Sequence, residues 1–333
     1  MLPCRIVQTV GSPSVSVVVE WENILLAKAE RSRAMLRQLV QEAKEVVERG
    51  AVRSSIELLV CFDAGEVDGP ALAADLASEI DGHDTLTWRL VPVDAGEYYE
   101  LKNAGARETA GDVIVFLDSD VIPEPGWLSS LLEPLADESI GVVAGNSYLE
   151  PLGFYGKTFA LAWFFPLRAT EARVEPARKF FANNVAFRRE VFERFPFPTL
   201  DDASRGSCWR LAQILTANGV TMVRSTGAQV SHPAPNGYRH FLARGLAQGR
   251  DRLLEERAWG SRRTRSPLGT ASRLKRDLKR STTSITKDFK QVGLSGRAVP
   301  AALGLSTSYY LLCTLGEVAT MVSPGAMARH FRV

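Results

Sequence analysis

Asp118, Ser119 and Asp120 close a short apolar run, Val113–Leu117 (VIVFL). Two carboxylates at i and i+2 point to opposite faces while the chain remains a strand. At the end of the strand the chain can turn and bring both towards one hard cation. Carboxylate oxygens together with a diphosphate are typical ligands of Mg²⁺ or Mn²⁺. Such a cation offsets charge on a departing diphosphate and acts as a Lewis acid. The bland alternative is that Asp120 caps a turn ahead of Pro123. Three other places offer comparable chemistry. Asp63 follows the run Ile56–Phe62, Glu20-Trp21-Glu22-Asn23 ends the run Ser14–Trp21, and His232 ends the stretch Ala228–Ser231.

These residues sit at the ends of β-rich runs, so the runs must position them. The expected strands are Ser14–Trp21, Ile56–Phe62, Leu86–Val93, Val113–Leu117 and Val142–Tyr148. Helical stretches separate them: Leu25–Arg49, with Leu36, Leu39, Val40, Ala43 and Val47 at helical spacing and Gly50 as its stop, then Pro70–Ile80, Tyr98–Thr109 and Trp127–Leu135. Strands alternating with helices predict a mostly parallel sheet covered on both faces. In such sheets ligands lie beyond the carboxyl ends of the strands. From about 150 to 240 the pattern loosens into aromatic and Asn-rich segments, followed by a helix near Cys208–Asn218.

Lys102-Asn103-Ala104-Gly105, Ala110-Gly111-Asp112, VIVFLDSD and Pro125-Gly126-Trp127-Leu128 occur in that order within about 27 residues. The block resembles the centre of family 2 glycosyltransferases of the GT-A fold. Their usual form is R-N-x-G, A-x-G-[ED]-x-[IV]-x-F-L-D-[SAD]-D, then P-x-W-L; here Lys102 stands for the usual Arg. The resemblance covers roughly residues 14–235. It implies a GT-A, Rossmann-like domain that takes a nucleotide-diphosphate sugar and a divalent metal, Mn²⁺ or Mg²⁺.

By that resemblance, Asp118 and Asp120 are the motif's carboxylates, with Asp120 on the metal and Asp118 near the ribose, the sugar and the metal. Lys102, Asn103 and Ser119 would lie near the nucleotide sugar. Asp63 and Asp68 in CFDAGEVDG are similar to a V-D-[DN]-x-S-x-D segment whose first Asp contacts the base. Glu20-Trp21-Glu22-Asn23 replaces a usual P-[TS]-[YF]-N. Trp21 would stack on the base, with Glu20 or Glu22 hydrogen bonded to it, and Asn23 reads equally as a helix N-cap. Phe181–Arg189 resembles the segment under sugar and acceptor, with Asn184 its best match. His232 matches a late histidine that ligates the metal or touches the diphosphate, and Arg239 and Arg244 could bind phosphates. An inverting transfer needs a carboxylate base. Here Asp202, then Asp201, is preferred, although the usual Glu-Asp pattern is broken in this stretch.

The formal charge of the 333-residue chain is +2, but Arg244–Arg297 holds 15 Lys/Arg against 5 Asp/Glu. That segment carries +10 and the remainder −8, so two different partners are expected. Ala301–Val322 follows, with Glu317 as its one ionisable group. At ~1.5 Å per residue it would reach about 33 Å, enough for a hydrocarbon core of about 30 Å. Spanning, lying in the interface and packing on the catalytic domain all remain open, with membrane contact preferred. Arg262, Arg263, Arg265, Arg273, Lys275, Arg276, Lys279 and Arg280 would meet anionic head groups. Nucleic acid is not expected, since no such motif accompanies the run. Cys4, Cys61, Cys208 and Cys313 form no C-x-x-C pair, and the N-terminus lacks an apolar core of signal-peptide type, which predicts a reducing compartment.

The expected organisation is an extension over 1–13, a GT-A domain over 14–240, a basic helical segment over 241–298 and an apolar membrane-associated or transmembrane helix with the C-terminus over 299–333. The expected activity is metal-dependent, inverting transfer of a sugar from a UDP- or GDP-sugar to a lipid-linked or cell-envelope hydroxyl acceptor, at the cytoplasmic face of a membrane. Two alternatives stand beside it. One is a catalytically degenerate membrane scaffold. The other is a sugar-phosphate nucleotidyltransferase, although EWENILL is not the Gly-rich basic loop that chemistry needs.

Overall fold

The computed structural model of the protein describes residues 12–21, 29–94, 96–199, 206–234, 237–258 and 267–323. Strand β1 (Val15–Glu20) is buried along its whole length, which explains its unbroken valines: a strand covered on both faces shows no polar alternation. Helix α1 (Ala29–Glu48) covers one face with Met35, Leu36, Leu39, Val40, Ala43 and Val46. Then come β2 (Ile56–Asp63), α2 (Gly69–Ile80), β3 (Leu86–Val93), α3 (Tyr98–Glu108) and β4 (Val113–Asp118). These four strands run parallel in the order β3-β2-β1-β4. Gly105 lets α3 press onto the sheet, because a Cβ there would collide with Cys61 and Val18.

The second half is mixed. It contains β5 (Ile122–Pro123), α4 (Trp127–Leu132), β6 (Ile140–Leu149), α5 (Gly153–Ala162), β7 (Val174–Pro176), β8 (Asn184–Arg188), α6 (Arg189–Arg194), α7 (Ser207–Ala217) and β9 (Thr221–His232). Strand β8 is antiparallel to both β4 and β6, and β6 is parallel to β9. Strands β4 and β9 therefore point the same way. Asp118 and His232 end at one edge of the sheet, and β8, running in reverse, begins there with Asn184. This single edge is what makes a shared site possible.

Three further helices complete the chain: α8 (Gly237–Ala258), α9 (Pro267–Asp288) and α10 (Val299–Val322). The segment Gly296–Val322 is long and apolar enough to cross a membrane by length and composition. In the fold it packs with α5, α8 and α9 around an aromatic cluster that includes Phe159, Trp163, Phe241 and Tyr309. Its inward face carries Ser306, Tyr309, Tyr310, Cys313, Gly316 and Glu317. Leu311, Leu315, Val318 and Val322 face outward. Burial pushes the Cys313 thiol up to about 12, so it stays an uncharged core group.

This packing corrects the head-group reading of Arg273. Arg273 is buried and holds both oxygens of Glu317 at 2.7–3.1 Å. That pair satisfies the charge which made Glu317 costly in an apolar helix. Arg280 donates to the Tyr310 hydroxyl at 2.8 Å. Arg262, Arg263 and Arg265 lie outside the described residues.

Helices α8 and α10 touch backbone to backbone through Gly249 and Gly316. A Cβ on Gly249 would strike the Cys313 carbonyl, and one on Gly316 the Leu246 carbonyl. Since the obstacles are main chain, the helices themselves must part. Gly249→Ala should therefore lower stability by about 1–3 kcal/mol, the usual cost of overpacking, measured as a reduced urea midpoint. An unchanged midpoint would mean that the close approach is not needed.

Candidate functional site

The end of β4 is held by a buried ion pair. Lys102, on α3, is 0 % exposed and places Nζ 2.7 Å from Asp118 Oδ1 and 3.1 Å from the Leu117 carbonyl. The Tyr98 hydroxyl lies 2.8 and 3.0 Å from the two Asp118 oxygens. The ammonium also stands over the Tyr98 ring at 4.9 Å and the Phe116 ring at 5.8 Å. Lysine in the usual Arg position is thus desolvated and repaid by one carboxylate, one carbonyl and two ring faces. Asp118 lines the cavity, with its carboxylate already bound to Lys102 and Tyr98.

Asp120 meets His232 instead. His232 Nε2 lies 3.7 Å from Asp120 Oδ2, and His232 Nδ1 lies 2.7 Å from the Pro233 carbonyl. A carbonyl only accepts, so Nδ1 carries a hydrogen, and Nε2 is the ring nitrogen that faces the carboxylate. In the neutral imidazole Nε2 offers a lone pair, and with the carboxylate it can hold a cation. A backbone carbonyl on the far ring nitrogen is the usual arrangement behind a metal-bound imidazole. One carboxylate and one imidazole, completed by phosphate and water, fit a divalent ion of Mn²⁺ type. Among the described residues no cluster of three or more His, Cys, Asp or Glu is found. Asp118, expected as a third ligand, is not gathered with these two.

Arg31 on α1 fixes this geometry from behind. Its guanidinium donates to the Asp120 carbonyl at 2.5 Å, to Glu150 at 2.9 Å and to the Ser231 carbonyl at 2.8 Å. It therefore ties the turn after β4, the end of β6 and the residue before His232. Arg31→Met should weaken Mn²⁺-dependent nucleotide binding about ten- to a hundredfold, as loss of an outer-shell partner does. Calorimetric titration checks this, and unchanged affinity would show that Arg31 positions nothing.

The remaining expected residues fall in several places. Glu20 is buried beside Asp118 in the strand register, and Trp21, 3 % exposed, packs in the main core. Stacking Trp21 on a base would take it out of that core, so its aromatic surface is structural here. Asp63 stands at the end of β2 and accepts from the Gly65 N–H at 2.7 Å. Asp68 caps α2 by accepting from the Ala71 N–H. Ser119 is buried between the two acids. Asn103 bonds the Phe197 main chain through both its amide nitrogen and its amide oxygen, at 2.9 and 3.1 Å, which anchors the segment ahead of residue 200. Glu22, Asn23, Asp201 and Asp202 lie outside the described residues.

Asn184 is also a correction. It is 0 % exposed, accepts from Trp127 Nε1 at 2.8 Å and donates to the Ala228 carbonyl at 2.9 Å. Gly145 makes room for it. Its neighbour Asn183 lines the cavity and accepts from the Ser147 hydroxyl at 2.8 Å. A one-residue shift changes the face on which a side chain lies, and the paired asparagines gave no way to choose between them.

A cavity of about 620 Å³ joins Asp118 and His232 to an aromatic wall (Trp163, Phe164, Phe165, Phe181) and to α8 and α9. Arg244, from α8, lies on this cavity, while Arg239 is exposed elsewhere on the helix. Sequence reasoning missed the contribution of α9. Its signal was present in Arg273, Arg276, Asp277 and Arg280 at i, i+3, i+4 and i+7, one helical face.

The family model for glycosyl transferase family 2 matches residues 98–195, which contain Lys102, Asp118, Asp120 and Asn184. A mannosyltransferase from Pyrobaculum calidifontis, solved with GDP-Man and Mn²⁺, superposes with a TM-score of 0.58 at 18% identity. The superposition covers 94% of this chain and 88% of that one. A probable N-acetylgalactosaminyltransferase 9 of Caenorhabditis elegans is 48% identical over 42 residues, which are 13% of this chain and 7% of the relative's length. Residues 98–195 are therefore a glycosyl transferase family 2 segment, carried by a chain with the GT-A fold.

Proposed function

We propose that the protein transfers a glycosyl group from a nucleoside-diphosphate sugar to a hydroxyl acceptor, with a divalent cation held by Asp120 and His232. The observation that carries this reading is the carboxylate–imidazole pair at the edge where β4 and β9 end. When bound, the cation supplies charge that steadies the departing diphosphate. A mixed oxygen and nitrogen donor set favours Mn²⁺ over Mg²⁺. The mannosyltransferase that shares the fold binds GDP-Man and Mn²⁺, which makes GDP- and UDP-sugars the first donors to try.

The protein's own residues have separate tasks. Arg31 orients Asp120 and the strand bearing His232. Lys102 and Tyr98 fix Asp118 at the cavity wall. Asn183 and the aromatic wall face the space for sugar and acceptor. Three described carboxylates line the cavity, and each is ion-paired: Asp118 with Lys102, Asp251 with Arg250, Asp277 with Arg252. We assign the base of an inverting transfer to Asp202, with Asp201 second. Gly206 lines the cavity, and four residues of chain reach at most about 14 Å.

The test incubates the protein with Mn²⁺ and a panel of UDP- and GDP-sugars and measures nucleoside diphosphate release. One donor should be turned over, and the signal should vanish in Asp120→Ala. Pyrophosphate chemistry would favour nucleotidyl transfer instead, and binding without turnover a scaffold.

For localisation we read α10 as lying on the cytoplasmic face of a membrane, with Leu311, Leu315, Val318 and Val322 in the interface, rather than spanning it. Lipid-linked acceptors fit that placement. Leu315→Glu should reduce co-sedimentation with anionic vesicles about tenfold or more, from lost apolar contact and added like charge. Equal binding would remove the stripe from the interface.

A further inference from the structure

The cavity is charged asymmetrically. Six cationic side chains line it against three carboxylates, and those carboxylates are already ion-paired. Arg276 and Arg280 come from one face of α9, and Lys179 lines the same space. All three are exposed; of them Arg280 also donates to the Tyr310 hydroxyl at 2.8 Å and lies 4.0 Å from Asp277. Arg273 points from the same helical face but is locked to Glu317. That lock fixes the rotation of α9, and with it the direction of Arg276 and Arg280.

Like charges gathered on one concave wall repel each other, and an anion relieves the repulsion. On the reading given above, the donor's diphosphate has its counter-charge in the cation at Asp120 and His232. The wall on α9 then faces a second anion. Beside it, Trp163, Phe164, Phe165 and Phe181 offer an apolar surface.

We propose that this wall is an acceptor subsite for a phosphate group, with Arg276 and Arg280 as its ligands and the aromatic wall covering the part of the acceptor next to it. The inference rests on the donor reading for its orientation, because the acceptor hydroxyl must point to the Asp120 side. The phosphate belongs either to a lipid phosphate or to a soluble phosphorylated sugar. The chemistry is shared: a tetrahedral oxyanion taken by guanidinium forks.

Calorimetry on the full chain, saturated with Mn²⁺ and a nucleoside diphosphate, tests it with geranyl phosphate, geraniol and glucose 1-phosphate. At least one phosphate should bind, and geraniol should bind at least tenfold more weakly than geranyl phosphate. Arg276→Ala should weaken the phosphate about tenfold, and the Arg276→Ala/Arg280→Ala double variant about a hundredfold, the scale of charged hydrogen bonds. Arg276→Lys should retain most of the affinity. Preference for geranyl phosphate assigns a lipid source, and preference for glucose 1-phosphate a soluble one. Arg276 is exposed, so its loss leaves the core intact, and retained nucleotide binding verifies that each variant is folded. Three results overturn the subsite: no phosphate binding to a protein that still takes Mn²⁺ and nucleotide, binding indifferent to both arginines, or displacement by the nucleoside diphosphate. Loss of nucleotide binding in Asp120→Ala with phosphate binding intact would leave the subsite standing. Failure of nucleotide and Mn²⁺ to bind the unaltered chain would sink the donor reading alone.

Discussion

Asp120→Ala should lower Mn²⁺-dependent release of nucleoside diphosphate about a thousandfold while leaving the fold in place. The carboxylate is one of two described side chains aimed at the expected cation position, and His232 cannot hold a hard ion alone. Losing the cation removes stabilisation of charge that develops on the leaving diphosphate, a contribution of roughly 10²–10³ or more in rate. Asp120→Asn should fare little better, because the amide keeps the shape but not the charge. Binding of Mn²⁺ and nucleotide should fall together in both variants. His232→Ala should lose less and should narrow the preference for Mn²⁺ over Mg²⁺, since imidazole is the ligand that Mg²⁺ accepts less readily. Steady-state rates with each metal check the series. Full activity in Asp120→Ala would remove the cation from this place.

Lys102→Met should have the largest effect on stability. It deletes the ammonium 2.7 Å from Asp118 and leaves a carboxylate that is itself almost wholly buried. Removing one partner of a buried pair costs about 3–5 kcal/mol, because the other charge stays desolvated. The Tyr98 hydroxyl softens the loss without replacing the charge. Adding Asp118→Leu to Lys102→Met should recover most of the stability, as an apolar pair of similar size often does. Activity should not return, since Asp118 faces the cavity. Urea denaturation of the two variants separates the effects. A single variant as stable as the parent would show that the pair contributes little.

Much of this was legible in the sequence. The Val- and Ile-rich runs marked β1, β2 and β4 to within a residue or two, since a doubly covered parallel strand is apolar throughout, and β3, at the sheet edge, was marked by its β-prone run Leu86–Val93. The strand-end rule then drew attention to Glu20, Asp63, Asp118 and His232. What could not be read was side-chain direction. Trp21 turns into the core, and Asn184 does so beside Asn183, which lines the cavity. Asn103 looked like a nucleotide ligand because its partner, the Phe197 main chain, is 94 residues away. Lys102 and Asp118 are 16 residues apart and carry no pairing signal of their own. The basic run on α8 and α9 left direction open for a related reason. Composition gives the charge of a helix, but only packing tells which face meets lipid and which faces a cavity.

The claim on which the rest depends is that Asp120 and His232 jointly bind Mn²⁺ bearing the donor's diphosphate. Electron spin echo spectroscopy of the Mn²⁺–nucleoside diphosphate complex of the full chain reads it directly. The expected spectrum contains ¹⁴N modulation from one imidazole and ³¹P coupling from the diphosphate. The ¹⁴N signal should be absent in His232→Ala, and no bound Mn²⁺ should remain in Asp120→Ala. A bound Mn²⁺ with phosphorus coupling but no imidazole nitrogen, unchanged by either substitution, would contradict it.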